Sequence, residues 1–63
     1  MEDYQLRVIE EEKQLKIKMD KLSSFIKSDD FNKLDLADCC LLRKQYGIMS
    51  DYDNILQQRI ERF

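Results

Sequence analysis

The stretch Cys39-Cys40-Leu41-Leu42-Arg43-Lys44-Gln45-Tyr46-Gly47-Ile48-Met49-Ser50-Asp51-Tyr52-Asp53-Asn54-Ile55-Leu56-Gln57-Gln58-Arg59-Ile60-Glu61-Arg62-Phe63 decides the fold. Within it Cys39, Leu42, Tyr46, Met49, Asp53, Leu56, Ile60 and Phe63 recur by alternating steps of three and four, which lays them along one face of an α-helix. Only Asp53 in that seam is charged. A second apolar row, Leu41, Ile48, Tyr52 and Ile55, lies to its side, so this helix has more hydrophobic width than one partner helix covers. The surplus favours an oligomer. Gly47 sits mid-helix at a cost of ~1 kcal/mol relative to alanine. It is either a tolerated weak spot or a point of close approach to a neighbouring chain.

Working back towards the N-terminus, Ser28-Asp29-Asp30 is a polar cluster suited to a turn, and Phe31 and Leu34 can plug the end of a hairpin. Asp35 is suited to N-cap the second helix, with Asp38 three residues on. The first helix is expected from about Asp3 to about Lys27. Its stripe reads Tyr4, Val8, Glu11, Leu15, Lys18, Leu22 and Phe25, and Ile9, Met19 and Ile26 widen the apolar face to one side. Glu11 and Lys18 are charges on that stripe. Burying an unpaired ammonium or carboxylate costs several kcal/mol or more, so each needs a counter-ion, a ligand or water. The fold expected is all-α, an antiparallel helical hairpin of two long helices forming a single domain over residues 1–63.

A chain of 63 residues buries little. Below roughly 70 to 80 residues a single core rarely supplies more than ~3–5 kcal/mol, so a further source of stability is expected. The adjacent Cys39 and Cys40 point to different sides of a helix and cannot staple distant segments. Without histidine or a second cysteine pair, a structural zinc site is not expected either. Self-association is the simplest remaining source. Eleven Lys and Arg against thirteen Asp and Glu leave a net charge of −2, which argues against binding long nucleic acid through bulk charge. No apolar run is long enough to span a membrane, and the acidic start Met1-Glu2-Asp3 does not read as a signal peptide. Free thiols and no export signal point to the cytosol.

Catalytic chemistry has little to stand on, since histidine, a Gly-rich phosphate loop and a serine beside an evident base are all missing. No catalytic residue, metal ligand or cofactor is expected. Glu10, Glu11 and Glu12 diverge by ~100° each on a helix and read as a solvated charge run. Cys39 and Cys40 are either redox-active near a helix start or, more commonly, small packing residues. Lys16, Lys18 and Lys21 place several ammonium groups mid-way along helix one, with Arg7 nearer its start, and together these can hold phosphates. Tyr4 offers a ring for stacking a base, but within one helix it lies ~21 Å from Lys18. A pocket using both needs Tyr4 of one protomer beside Lys18 of another. Paired instead with a carboxylate, Lys18 would meet Glu11 or Asp53, most simply across an interface, and on the residues alone this ion pair leads. Arg59 and Arg62 are either phosphate clamps or partners of the helix C-terminus, and the second is the commoner use.

Taken together, Tyr4, Arg7-Val8-Ile9-Glu10-Glu11, Leu15, Ile17-Lys18, Lys21-Leu22, Phe25-Ile26, Phe31, Leu34, Leu41-Leu42, Gln45, Met49, Tyr52, Leu56 and Arg59-Ile60 resemble the hairpin domain of phage anti-defence sponges. That domain is shared by the anti-CBASS sponges, which sequester cyclic oligonucleotide signals, and a Thoeris anti-defence sponge that captures cyclic ADP-ribose isomers. The resemblance covers nearly the whole chain, and the short length favours the anti-CBASS branch. It implies a compact homohexamer in the cytoplasm of the infected bacterial host, binding cyclic dinucleotides such as 3′,3′-cGAMP and 2′,3′-cGAMP, with separate pockets for cyclic trinucleotides such as cyclic tri-adenylate. It implies ligand contacts from Tyr4 and Lys18, with Arg7 and Arg59 beside them, and no degradation of the ligand. A structural coiled-coil adaptor without a nucleotide ligand is the competing expectation, in which the seam charges only set helix register.

Overall fold

The computed structural model describes all 63 residues as two long helices, α1 (Asp3–Ile26) and α2 (Leu36–Glu61), joined by a connection containing one 3₁₀ turn (Phe31–Lys33). The helices fold back on each other into an antiparallel hairpin of 46 × 15 × 13 Å. The expected all-α hairpin is observed. At the start of α1 the Glu2 N–H donates to Gln5 Oε1 at 2.9 Å, satisfying one of the free donors every helix start leaves.

Neither glycine nor proline breaks the chain between the helices. Ser28 stops α1 by donating through both its N–H and its hydroxyl to the Phe25 carbonyl, at 3.0 and 2.6 Å. Asp29 and Asp30 then supply the carbonyls of the 3₁₀ turn, which accept from the Asn32 and Lys33 amides. Phe31 is buried beneath this turn, edge-on to Phe25, with the Arg43 guanidinium 5.3 Å from its ring centre. Cys39 donates its thiol to the Phe31 carbonyl at 3.4 Å and so pins the turn to α2. Packing is therefore the role of Cys39, while Cys40 faces water. Asp35 occupies the N-cap position as expected, but its side chain makes no capping hydrogen bond.

The α2 seam matches its sequence reading from Cys39 to Ile60, every position being buried or half-buried. The α1 seam differs. Val8, Leu15 and Leu22 face inward as read, but Glu12, Met19 and Ile26 take the places assigned to Glu11, Lys18 and Phe25, all three of which are exposed. Both series step by three and four, so periodicity alone does not separate them. The observed phase buries Met19 and leaves the Lys18 ammonium in water, avoiding the cost of desolvating it.

The core is thin. Only six of 63 residues are buried, the central cluster being Val8, Leu15, Met19 and Leu56, against which Tyr46, Met49 and Ile60 pack. Leu56 alone is wholly enclosed. Leu41, Ile48, Tyr52 and Ile55 stay exposed along α2, with Ile48 68% accessible, so the second apolar row finds no cover within one hairpin. Open space surrounds Gly47, where an added Cβ would meet nothing within 4 Å.

Candidate functional site

Two polar arrangements stand out, one inside the seam and one at the open end. Mid-way along the hairpin Asp53 is 5% accessible, and its Oδ2 accepts from Gln57 Nε2 at 2.6 Å and from Lys16 Nζ at 3.5 Å. Lys16 comes from α1, 37 residues earlier, and about half of its side chain stays in solvent. Glu12 completes the layer. A hydrogen bond to Asp53, burial and the nearby Asp53 charge push the Glu12 carboxyl above the ordinary carboxylate range, against the pull of Lys16. Accepting that bond from Glu12 holds Asp53 below the range in spite of its burial, with Gln57 and Lys16 assisting. Asp53 is therefore paired as expected, but by Lys16 in place of Lys18 and within one hairpin instead of across an interface, and the α1 carboxyl beside the pair is Glu12 in place of Glu11.

At the other location the start of α1 meets the end of α2. Tyr4 and Phe63 approach edge to face, 5.9 Å between ring centres and 82° between planes. Beside them Arg59 and Arg62 line an open groove of about 270 Å³, whose walls are these two rings and two guanidinium-bearing side chains. Tyr4 remains 57% accessible, so a face of its ring is free to be stacked upon. Guanidinium groups beside an aromatic face suit a planar base carrying phosphate, since the base stacks and the phosphate takes paired N–H donors.

The sequence-derived candidates fall into two groups. Tyr4 and Arg59 are brought together. Lys18 and Arg7 are exposed on α1 and take no part in the groove. Within one hairpin Tyr4 and Lys18 stay apart, as the helical rise of ~1.5 Å per residue requires. They do share a flank: Tyr4, Glu11, Lys18 and Phe25 recur every seven residues and all are exposed. Because a seven-residue step turns an α-helix by only ~20° from full register, these side chains form one outward stripe beside the seam. Lys16 is tied to Asp53, whereas Lys18 and Lys21 make no ion pair in the hairpin.

Sequence reasoning left Arg62 as a phosphate clamp or, the commoner use, a partner of the helix C-terminus, and placed Phe63 on the seam. The structure shows Phe63 exposed and joined with Arg62 to the groove. The signal was available in the helix lengths, because two antiparallel helices of 24 and 26 residues bring the first turn of one against the last turn of the other. A smaller hollow of about 100 Å³, lined by Ser23, Ile26, Lys27 and Tyr46, lies near the connection. No group of three or more Cys, Asp or Glu side chains is placed to hold a metal ion. No helix is long and apolar enough to cross a membrane.

The class defined by this geometry is a small antiparallel helical hairpin with a solvent-facing groove of aromatic and cationic side chains. The chain belongs to the Sequestin family, whose model matches residues 2–62 and whose name points to sequestration. It is 38% identical over 60 residues to an uncharacterised 7.5 kDa protein from the denB-rIIB intergenic region of Enterobacteria phage T4, with 95% of this chain and 94% of that protein covered. Family and relative bear out the resemblance to phage sponges drawn from the residues. No solved structure matches the chain.

Proposed function

We propose that this protein is a phage anti-defence sponge that captures cyclic dinucleotide immune signals, and cyclic trinucleotides by the same chemistry, and holds them intact in the cytoplasm of the infected host. The observation that carries the reading is the accessible Tyr4 ring standing beside Arg59 and Arg62 in a chain of the Sequestin family. A base stacks on the ring and the guanidinium groups take the phosphates. Sequestration needs affinity alone. Nanomolar binding corresponds to about −12 kcal/mol, within reach of stacked bases plus charge-assisted phosphate contacts when protein closes around the ligand.

Closure needs more than one hairpin. The open groove of about 270 Å³ is at the small end for a nucleotide pocket. Self-association supplies the missing walls and also covers the exposed row Leu41, Ile48, Tyr52 and Ile55. In such an assembly the outward stripe of α1 lets Tyr4 of one protomer meet Lys18 of the next when two α1 helices lie side by side, with Arg7 one turn from the tyrosine. Lys18 is the better lysine for this role because Lys16 is already engaged by Asp53.

Isothermal titration with 3′,3′-cGAMP, 2′,3′-cGAMP, cyclic tri-adenylate and a cyclic ADP-ribose isomer tests the reading. Heat with a cyclic dinucleotide, followed by its intact recovery after the protein is denatured, is the expected result. Binding of the cyclic ADP-ribose isomer alone would move the protein to the Thoeris branch, no heat with any ligand would leave a structural adaptor, and a shortened nucleotide would mean hydrolysis.

A further inference from the structure

The Glu12–Asp53 contact has a hydrogen-bonding pattern that only one protonation state satisfies. Asp53 Oδ2 already has two donors, Gln57 Nε2 and Lys16 Nζ. Asp53 Oδ1 and Glu12 Oε2 are both enclosed and have no donor among the other side chains or the backbone. Two ionised carboxylates in this position would leave both buried oxygens unpaired and the two charges in repulsion. One proton between them removes both penalties, because a protonated carboxyl becomes a donor. Charged groups near the pair are few. Lys16 faces it from α1 and reaches only Oδ2, while from α2 it meets the neutral amide of Gln57.

We propose that Glu12 and Asp53 form a protonated carboxyl–carboxylate latch across the middle of the hairpin, one hydrogen shared between Oε2 and Oδ1, whose loss as pH rises loosens the α1–α2 seam. The latch makes the hairpin a pH-sensitive element irrespective of what it binds. Its linkage follows from the directions of the two shifts. Glu12 is raised, so folding retains a proton that the unfolded chain has released, and this contribution declines as pH rises through the interval between the ordinary and the raised value. Asp53 is lowered, so its contribution is present above the ordinary aspartate value and declines as pH falls through the lowered one. The latch is therefore strongest at mildly acidic pH and weakens on either side.

The full-length protein tests this in two ways. Carboxyl ¹³C titration of the wild type is expected to place the Glu12 midpoint above the ordinary glutamate value and the Asp53 midpoint below the ordinary aspartate value; two unshifted midpoints would overturn the latch. Thermal melts of wild type and Glu12→Gln at about pH 4 and about pH 8 provide the second readout, bracketing the ordinary glutamate value. The glutamine amide donates to Oδ1 at every pH, so the variant is expected to melt close to wild type at the lower pH and above it at the higher. A gap that stays constant between the two, or a variant that melts below wild type at the higher pH, overturns the proposal. Should Glu12→Gln not fold, the wild-type titration decides alone.

Discussion

The two ends of the hairpin use the same kinds of residue to opposite effect. At the connected end an aromatic and a guanidinium, Phe31 and Arg43, close over the gap between the helices, with Phe31 only 3% accessible and the Cys39 thiol fastening its carbonyl. At the open end Tyr4, Phe63, Arg59 and Arg62 also combine rings with guanidinium groups, yet they leave a groove facing water. The chain connection accounts for the difference. A covalent turn brings a ring over the helix ends and holds it there, whereas two free ends meet only through side chains and keep their ring faces accessible. One end thus serves stability, and the other keeps open the groove in which the proposed ligand would bind.

The comparison makes separable predictions. Phe31→Ala should have the largest effect, about 3–5 kcal/mol of lost stability from an emptied aromatic site, seen as a fall of more than about 12 °C in the melting midpoint by circular dichroism. Nucleotide affinity of the fraction that remains folded should hardly change. Tyr4→Ala should do the reverse, leaving the melt within a few degrees while removing ~1–3 kcal/mol of base stacking, or roughly 5- to 150-fold in affinity by titration. Equal losses of stability in both variants would erase the distinction between the ends.

Smaller effects sharpen it. Arg59→Ala and Arg62→Ala each remove one guanidinium while the other remains, so about tenfold weaker binding is expected from either, with a shallower dependence of affinity on salt than wild type. At the connected end Asp35→Ala should cost less than about 0.5 kcal/mol by urea unfolding, below the ~1 kcal/mol of a working N-cap, because the Asp35 side chain makes no capping bond. A full capping penalty there would show that the turn is held by its polar residues and not by Phe31 packing.

Much of the fold was legible before the structure. Both helices, the polar break at Ser28-Asp29-Asp30, the plugging role of Phe31 and the α2 seam from Cys39 to Ile60 follow from apolar spacing and turn chemistry. The phase of α1 was not legible. Its apolar residues cover a broad arc, with Tyr4, Lys18 and Phe25 on one side and Met19 and Ile26 on the other, and a local pattern of threes and fours accommodates either choice. Of the candidate site, Tyr4 and Arg59 were anticipated as ligand contacts, but their meeting with Arg62 and Phe63 was not, because the partners lie at opposite ends of the chain.

By itself the sequence determined that this chain forms two helices of similar length, that they fold back on one another, and that their combined core is too thin to cover the apolar surface they carry, since these properties depend on local periodicity and residue count. Only the tertiary structure decided which edge of α1 faces inward, that Glu12 and Lys16 and not Glu11 and Lys18 meet Asp53, and that the chain ends converge on a groove. The reason is that burial of a charge is settled by its surroundings: Asp53 is accommodated by groups four residues away on its own helix and roughly ten turns of chain distant on the other, a combination that no local pattern of residues contains.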